Sequence, residues 1–398
     1  MTSLQALNAL NFFMADVRDG LGPFLGVYLQ QQKWSPGEIG LVMTIGGIVG
    51  IVATIPLGAL VDRTESKRTI LAFAAVAVVA ASAVLYLLPV FLSVAAAQTV
   101  MGVAGAAIGP AIAGITLGLV HQRGFAYQLG QNEAYNHAGN VAAALLAGGL
   151  GYLFGLGAVF AVMAAMAVAS IGAVSAIKAS EIDHAAARGA PQSNADSAGF
   201  RIIFETPALL LLGATSLLFH LGNAAMLPLL GQSLVAQGAG DPSAYTSATV
   251  IVAQLTMIPM ALLAAWLADR RGYWIVFVIA LISLPIRGAL AAFVTGPVGL
   301  VPVQMLDGVG AGMLGVAVPG LVARILAGTG QINAGLGAVM TLLGIGAALS
   351  TTVGGYVAEI YGYAAAFAVL GLIGAAALLL WVLASPYLRK IGAPLKTA

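Results

Sequence analysis

The stretch LGALVDRTESKR, Leu57 to Arg68, decides the fold because the chain carries a second copy of its pattern. The copy is LAAWLADRRG, Leu263 to Gly272, in which Asp269 takes the place of Asp62. In both copies an apolar run ends in an Asp-Arg pair followed by a further basic residue. Two further sets of residues recur at the spacing of Asp62 and Asp269, to within one position. Gly148, Gly155 and Phe160 recur as Gly355, Gly362 and Phe367. The segment QTVMGVAGAAIG from Gln98 recurs as QMLDGVGAGMLG from Gln304. We therefore predict two similar halves.

The composition is that of a membrane protein. Of the 398 residues, 60% are hydrophobic and 8% are charged, and the mean hydropathy is +1.00. Soluble domains carry about a quarter charged residues. The absence of Cys excludes a disulfide framework and thiol chemistry, and the formal net charge of +2 gives no footprint for nucleic acid. The N-terminus lacks the basic region of a cleaved signal peptide, so we expect the first apolar segment to be retained.

The apolar runs predict an all-α polytopic membrane protein with twelve transmembrane helices. Helices are expected because backbone groups in lipid must be satisfied within the segment that spans it. The spans lie near 5–29, 38–61, 69–88, 91–118, 127–154, 157–177, 204–235, 245–268, 273–294, 298–325, 331–357 and 362–384. Residues 1–178 are predicted to form one six-helix bundle and 203–398 the other. The polar segment 179–202 reads as a flexible linker on the cytoplasmic side.

The basic residues predict the orientation. One set of connections holds Arg63, Lys67, Arg68, Arg123, Lys178, Arg188, Arg201, Arg270, Arg271, Arg324, Arg389, Lys390 and Lys396. The opposite set holds only Lys33. Because basic loops stay on the cytoplasmic side, we expect both termini to be cytoplasmic, in what is predicted to be a bacterial inner membrane.

The repeated motifs resemble those of the major facilitator superfamily over essentially the whole chain. GALVDRTESKR, Gly58 to Arg68, is similar to that family's loop between helices 2 and 3, and DRRG from Asp269 to its copy between helices 8 and 9. GGYVAEIYGYAAAF, Gly354 to Phe367, is similar to its turn between helices 11 and 12. The resemblance implies a secondary transporter whose two parallel repeats rock about a central site. It also implies a cytoplasmic gate, carried onto Asp62, Arg63, Asp269 and Arg270.

Polar residues inside the first span mark a candidate cavity wall. A charge at the centre of a membrane helix costs about 2.5–3.5 kcal/mol on insertion scales, so each needs a partner or a watery cavity. At helical spacing Asn11, Arg18 and Asp19 share one face with small residues, whereas Asp16 lies off that face. We expect a role in binding or coupling; the alternative is an ion pair that only stabilises the bundle.

The fifth and seventh spans carry similar stripes. Glu133, Asn136, His137 and Asn140 share a face at i, i+3, i+4 and i+7, which suits a proton-handling carboxylate and imidazole. The alternative is a set of interhelical hydrogen bonds. His220 and Asn223 lie on one face of the seventh span. With Pro23 and Pro228 aligned, Asn223 takes the place of Arg18.

The remaining polar residues within spans occur in the fourth, ninth and tenth. Gln98 and Gln304 are candidate cavity residues, and the glycine faces that follow them are expected to serve helix packing. Asp307 replaces Met101 of the repeat and is a candidate cation or proton site. Arg287 is interpreted as structural, either paired with Asp307 or extended toward the membrane interface.

The function predicted from these residues is proton-coupled transport of a small organic solute by a monomer without a cofactor, metal or enzymatic activity. Efflux by antiport is slightly favoured, because a mostly apolar cavity suits amphipathic solutes. Uptake of an organic anion or metabolite by symport is the alternative, since the Gly-Pro motif of many drug antiporters is missing from the fifth span. Glu133, Asp19 or Asp16 is the expected proton carrier and Arg18 its partner or an anion anchor. A non-transporting membrane sensor is a remote third reading.

Overall fold

The computed structural model describes residues 1–19, 21–187, 202–238, 240–293, 299–329 and 331–384, without the side chains of Asp19, Gln122, Ala126 and Asn333. The described parts are helical. The helices are α1 Ser3–Asp19, α2 Gly22–Gln31, α3 Pro36–Arg63, α4 Lys67–Leu87, α5 Phe91–Phe154, α6 Gly157–Ala176, α7 His184–Ala187, α8 Ile202–Glu205, α9 Pro207–Asn223, α10 Met226–Gln237, α11 Pro242–Arg271, α12 Tyr273–Phe293, α13 Leu300–Ile325, α14 Ile332–Tyr361 and α15 Tyr363–Leu383.

Within the described residues, 11 helices are long and apolar enough to cross a membrane. They correspond to the second to twelfth predicted spans, with α9 and α10 taken together as Pro207–Gln237. The first predicted span is divided between α1, of 17 residues, and α2, of 10 residues. The polytopic all-α fold is thus confirmed, while the twelfth crossing and the orientation of the termini stay predictions. Of the basic residues used for that orientation, Arg188, Arg201, Arg389, Lys390 and Lys396 lie outside the described residues.

Prolines account for the interruptions in the first and seventh spans. A proline has no backbone N–H and cannot bond the carbonyl four residues earlier, so the helix bends or breaks there. Pro23 follows a break at Leu21, whose φ of 50° is left-handed. Pro228 follows the interruption at Ala224, the residue whose carbonyl it cannot bond. The aligned prolines therefore divide the first helix of each half at the same place.

The fourth and fifth predicted spans are joined in one element. The sequence predicts a connection over residues 119–126, yet α5 continues helically from Phe91 to Phe154 apart from His121, where φ is 52° and ψ is −177°. A single residue thus redirects the chain between Phe91–His121 and Arg123–Phe154. Such a left-handed backbone is uncommon for a non-glycine residue and must be held by its surroundings.

The start of the predicted linker supplies part of those surroundings. After α6 come a 3-10 turn, Ala179–Glu181, and the short helix α7. The Asp183 carboxylate accepts hydrogen bonds from the backbone N–H groups of Ala186 and Ala185, at 3.0 and 2.9 Å, and these lower its pKa. It also lies 3.8 Å from Nδ1 of His121. The segment 179–187 is therefore folded, where the sequence predicts a flexible linker.

The described contacts divide the chain into two compact units. The first comprises Met1–Lys33, Ile45–Gln192 and Asp241–Ala248. In it α1 and α4 both pack against α5 and α6. Glycines let α3 approach α5 closely: a Cβ on Gly46 would lie 3.2 Å from the carbonyl oxygen of Gln98. The hydroxyl of Tyr28 donates to the carbonyl of Tyr86 at 2.8 Å, which fixes α2 against the end of α4.

The second unit comprises Trp34–Thr44, Ser193–Gly240 and Thr249–Ala398. Here α9 packs against α14 and α15, and α12 packs against α13 and α15. Close approach of α12 and α15 requires glycine, because a Cβ on Gly288 would lie 2.6 Å from the Cα of Gly371. Phe277 stacks on Trp381 with ring centroids 4.2 Å apart.

Two segments are grouped differently from the predicted halves. Trp34–Thr44, at the start of α3, belongs to the second unit, and Asp241–Ala248, at the start of α11, belongs to the first. The bundles 1–178 and 203–398 with their linker 179–202 stay a prediction. Residues 188–201 of that linker lie outside the described residues.

Candidate functional site

The predicted stripe on α1 is only partly exposed. Asn11 is 6% exposed, and its side-chain amide donates to the carbonyl of Leu7 at 2.8 Å. Asp16 is half-buried and has a partner, whereas Arg18 is exposed. The side chain of Asp19 lies outside the described residues. The available cation on this helix is therefore Arg18.

The predicted stripe on the second half of α5 is accessible. Glu133 and His137 are exposed, and Asn136 and Asn140 are half-buried. The carboxylate of Glu133 and the imidazole of His137 therefore lie one helical turn apart on the exposed surface of α5. This arrangement is compatible with the predicted proton-handling role, which stays a prediction.

A buried amide network next to this stripe was not predicted. Gln128 donates to Oδ1 of Asn8 at 2.7 Å and to Oδ1 of Asn132 at 3.0 Å. Asn132 in turn donates to the hydroxyl of Thr116 at 2.9 Å. The network joins α1 to both halves of α5. The signal in the sequence was the i, i+4 pair of amides, Gln128 and Asn132.

The second unit brings five predicted or discussed residues together, which we call the Asp307 cluster: His220, Asn223, Arg287, Gln304 and Asp307. Nη1 of Arg287 lies 2.8 Å from Oδ1 of Asp307, so the two form an ion pair between α12 and α13. The side chain of Arg287 is 1% exposed and that of Asp307 is 14% exposed. Of the two alternatives for Arg287, pairing with Asp307 is the one that the structure shows.

Amide side chains add hydrogen bonds to this ion pair, while Nε of Arg287 is buried without a partner among the described residues. Arg287 also donates to Oδ1 of Asn223 at 2.6 Å and to Oε1 of Gln304 at 2.7 Å. Asn223 donates to Oδ1 of Asp307 at 3.0 Å. Gln304 donates to the carbonyl of Thr249 at 3.2 Å, which ties the cluster to α11. Since a buried charge is tolerated only when it is paired and hydrogen-bonded, the amides are what make an arginine acceptable here.

His220 contributes an imidazole to the cluster from α9, one turn before Asn223. Its Nδ1 lies 2.9 Å from the carbonyl of Ser216, one turn earlier on the same helix. Since a carbonyl only accepts, Nδ1 carries the proton in this bond, and Nε2 of the neutral ring is an acceptor. His220 and Asn223 are both half-buried, so part of each remains accessible.

Gln98 and the predicted gate residues lie on α5, α3 and α11. Gln98 is half-buried, and its backbone faces Gly46. Asp62, Arg63, Asp269 and Arg270 are all exposed at the ends of α3 and α11. The guanidinium of Arg270 lies 4.7 Å from the ring centroid of Trp266 in a cation–π contact. The gate role stays a prediction.

A second group of contacts that was not predicted holds the start of α3 in the second unit. The hydroxyl of Thr44 lies 2.6 Å from the carbonyl of Ala348 and from the hydroxyl of Thr352, both on α14. Oε2 of Glu359 accepts a hydrogen bond from the backbone N–H of Gly37 at 3.0 Å. A carboxylate suits this position because helix N-termini have free N–H groups. The signal in the sequence was the pair of threonines, Thr351 and Thr352, inside an apolar span.

Among the described residues, no group of three or more His, Asp or Glu side chains could hold a metal ion.

Comparison with known proteins assigns the chain to a family. The family model of the Major Facilitator Superfamily matches residues 2–324. The uncharacterized MFS-type transporter Rv2456c of Mycobacterium tuberculosis (strain H37Rv) is 42% identical over 387 residues, which cover 96% of this chain and 93% of that protein.

Solved structures show the same fold at low identity. The crystal structure of the nucleoside transporter NupG superposes with a TM-score of 0.82 at 16% identity, over 97% of this chain and 100% of that one. A POT family transporter in complex with 5-aminolevulinic acid superposes with a TM-score of 0.77 at 12% identity, over 97% and 96%. With the family model and the mycobacterial relative, these likenesses identify the chain as a membrane transporter of the Major Facilitator Superfamily.

Proposed function

We propose that this transporter is secondary active, carries a small organic solute by alternating access and is driven by protons. The observation that supports the proposal is the carboxylate of Asp307, which is partly exposed within an apolar span and paired with the buried Arg287. Charged residues inside membrane helices are costly, and they mark ion pathways and proton relays in transport proteins.

Protonation of Asp307 would change the stability of this conformation. Oδ1 takes the hydrogen bonds from Arg287 and Asn223, while Oδ2 takes none from the described residues, so Oδ2 is the oxygen open to a proton. The neutral acid would leave the guanidinium of Arg287 buried with amide oxygens alone. Removing one partner of a buried ion pair is strongly unfavourable. Proton binding therefore favours a different conformation, which is what coupling requires.

The proposed proton carrier in the second unit is thus Asp307, beside the carriers predicted for the first half, Glu133, Asp16 and Asp19. Glu133 is exposed and lies one turn from His137. With carboxylates in both halves, a proton has a site in each.

We propose efflux by antiport as the direction, because the spans are mostly apolar and suit an amphipathic solute. Uptake of an organic anion or metabolite by symport is the second candidate. The amide, imidazole and carboxylate groups of the Asp307 cluster favour a polar metabolite, since they can bind a polar solute. The structural relatives named above, a nucleoside transporter and a protein bound to 5-aminolevulinic acid, handle polar compounds.

The test is transport by the purified protein in liposomes, with a solute panel of amphipathic cations, nucleosides and organic anions. An imposed pH gradient should drive a transported solute, outward against entering protons for antiport and inward with them for symport. Asp307→Asn should reduce gradient-driven flux about tenfold or more. Glu65→Gln, at the exposed connection between α3 and α4, is the matched control and should keep that flux. Proton coupling is contradicted if no gradient alters the flux of any transported solute.

A second experiment addresses the anion alternative. Arg18→Ala should abolish transport of an organic anion and spare neutral or cationic solutes, because Arg18 is the exposed cation of α1. Arg18→Lys keeps the charge and is the control. Anion transport at the original rate by a folded Arg18→Ala protein would exclude Arg18 as the anchor.

A further inference from the structure

We infer that the accessible edge of the Asp307 cluster binds an uncharged N–H or O–H group of the solute and disfavours anionic groups. This inference rests on the proposed function, because it gives the chemistry of the part of the solute that the second unit receives. It concerns His220, Asn223 and Asp307 as contacts and Arg287 as a positioning residue.

The cluster has a buried layer and an accessible layer. Gln304 is fully buried and the side chain of Arg287 is 1% exposed, so neither offers a surface to a solute. Asp307, with 14% of its side chain exposed, and the half-buried His220 and Asn223 form the accessible layer. A solute meets these three residues and not the guanidinium behind them.

The accessible layer offers mainly hydrogen-bond acceptors. Oδ2 of Asp307 accepts no bond from the described residues, because Oδ1 takes those of Arg287 and Asn223. Nε2 of neutral His220 is an acceptor, since Nδ1 donates to Ser216. Nδ2 of Asn223 uses one hydrogen toward Asp307 and has a second to donate. Two acceptors and one donor suit a hydroxyl, an amine N–H or an amide N–H.

The charge of the cluster selects against ions. The positive charge of Arg287 and the negative charge of Asp307 cancel at 2.8 Å, and neutral His220 adds none. An anion would meet the lone pairs of Oδ2 and Nε2 without a net positive charge to compensate, and a cation would find no net negative charge. Arg287 acts through Asp307, because it holds Oδ1 and thereby leaves Oδ2 toward the solute.

The test exploits the absence of cysteine from the chain, so that His220→Cys carries a single thiol. Its reaction rate is measured on the purified full-length protein with three methanethiosulfonates: the neutral methyl, the anionic sulfonatoethyl and the cationic aminoethyl reagent. Each rate is divided by that of Ala236→Cys, an exposed position on α10. We expect the normalised rate of the neutral reagent to exceed that of the anionic reagent about tenfold.

Adding Asp307→Asn to His220→Cys leaves the positive charge of Arg287 uncompensated. The anionic reagent should then react faster than the neutral one. A purely structural role of Arg287 would not produce this reversal. Asp307→Glu keeps the charge and should keep the neutral preference. Should Asp307→Asn fail to fold, the ratio in His220→Cys alone decides. A rate for the anionic reagent equal to or above the neutral one, or no reaction with any reagent, overturns the inference. Neither result depends on a proton gradient, so this inference and proton coupling can fail separately.

Discussion

Gln98 and Gln304 occupy equivalent positions in the two halves of the repeat, but their surroundings differ. Gln98 is half-buried on α5 and faces Gly46, whereas Gln304 is fully buried on α13 and bonds Arg287 and Thr249. Three residues further on, Met101 of the first half is replaced by Asp307 in the second. The repeat has therefore kept its helix packing and changed the charge chemistry that the packing supports.

The other equivalent positions show the same contrast. Arg18 is exposed, while Asn223 at the matching place is engaged by Arg287 and Asp307. The first unit leaves Glu133 and His137 exposed, whereas Arg287 of the second unit is buried within α12. The second unit therefore holds its buried charge in hydrogen bonds with Asn223, Gln304 and Asp307.

The largest effect is expected from separating the buried pair. Arg287→Met should lower the free energy of unfolding by about 3–5 kcal/mol, because it leaves Asp307 without its counter-ion in an apolar span. The double variant Arg287→Met with Asp307→Leu should recover most of that loss, since two apolar residues need no partner. Arg18→Ala, the exposed arginine of the first half, should change stability by no more than about 0.5 kcal/mol. Thermal unfolding in detergent measures all three. Equal losses for Arg18→Ala and Arg287→Met would remove the contrast between the units.

The packing that the halves share is tested by glycine substitutions. A Cβ on Gly102 would contact the carbonyl of Gly46, and one on Gly308 would lie 2.6 Å from the carbonyl of Ala253. Gly102→Ala and Gly308→Ala should each cost about 1–3 kcal/mol, because backbone cannot move aside cheaply. The matched controls are Gly109→Ala and Gly315→Ala, where a Cβ would meet nothing within 4 Å. These should be neutral or slightly stabilising. Differential scanning fluorimetry of the four variants distinguishes packing glycines from open ones, and a cost in only one half would argue against shared packing.

The fold could be predicted from the sequence more fully than the contacts of the Asp307 cluster. Long apolar runs and the Asp62–Asp269 repeat suffice for the spans, because length and composition determine which segments enter lipid. For Arg287 the sequence left two alternatives, pairing with Asp307 or extension toward the membrane interface. It could not decide between them, because packing between helices determines which faces of α12 and α13 meet. The Gln128–Asn132–Thr116 network was not predicted, because the prediction rested on the polar face that begins at Glu133 and not on the neighbouring face of α5. Helical periodicity identifies polar faces, but it does not tell which of them is buried.

That network offers a smaller effect confined to the first unit. Asn132→Leu should lower the free energy of unfolding by about 1–2 kcal/mol, because it leaves Gln128 and Thr116 short of one hydrogen bond each. Asn136→Leu, one turn further along α5 and half-buried, is the control and should cost less. Urea or thermal unfolding of both variants gives the comparison. A larger loss for Asn136→Leu would place the structural contacts of α5 on the stripe of Glu133, Asn136, His137 and Asn140.

The smallest effect is expected within α3, whose two ends belong to different units. The hydroxyl of Thr44 bonds Ala348 and Thr352 on another helix, whereas that of Thr54 bonds only Gly50 of its own helix, at 2.8 Å. Thr44→Val should cost about 0.6 kcal/mol, the average measured for such bonds between membrane helices, and Thr54→Val should cost nothing measurable. Both substitutions remove one threonine hydroxyl from α3. The difference between their melting temperatures therefore reports the interhelical contact of Thr44 alone. Equal melting temperatures would mean that the hydroxyl of Thr44 adds no stability between α3 and α14.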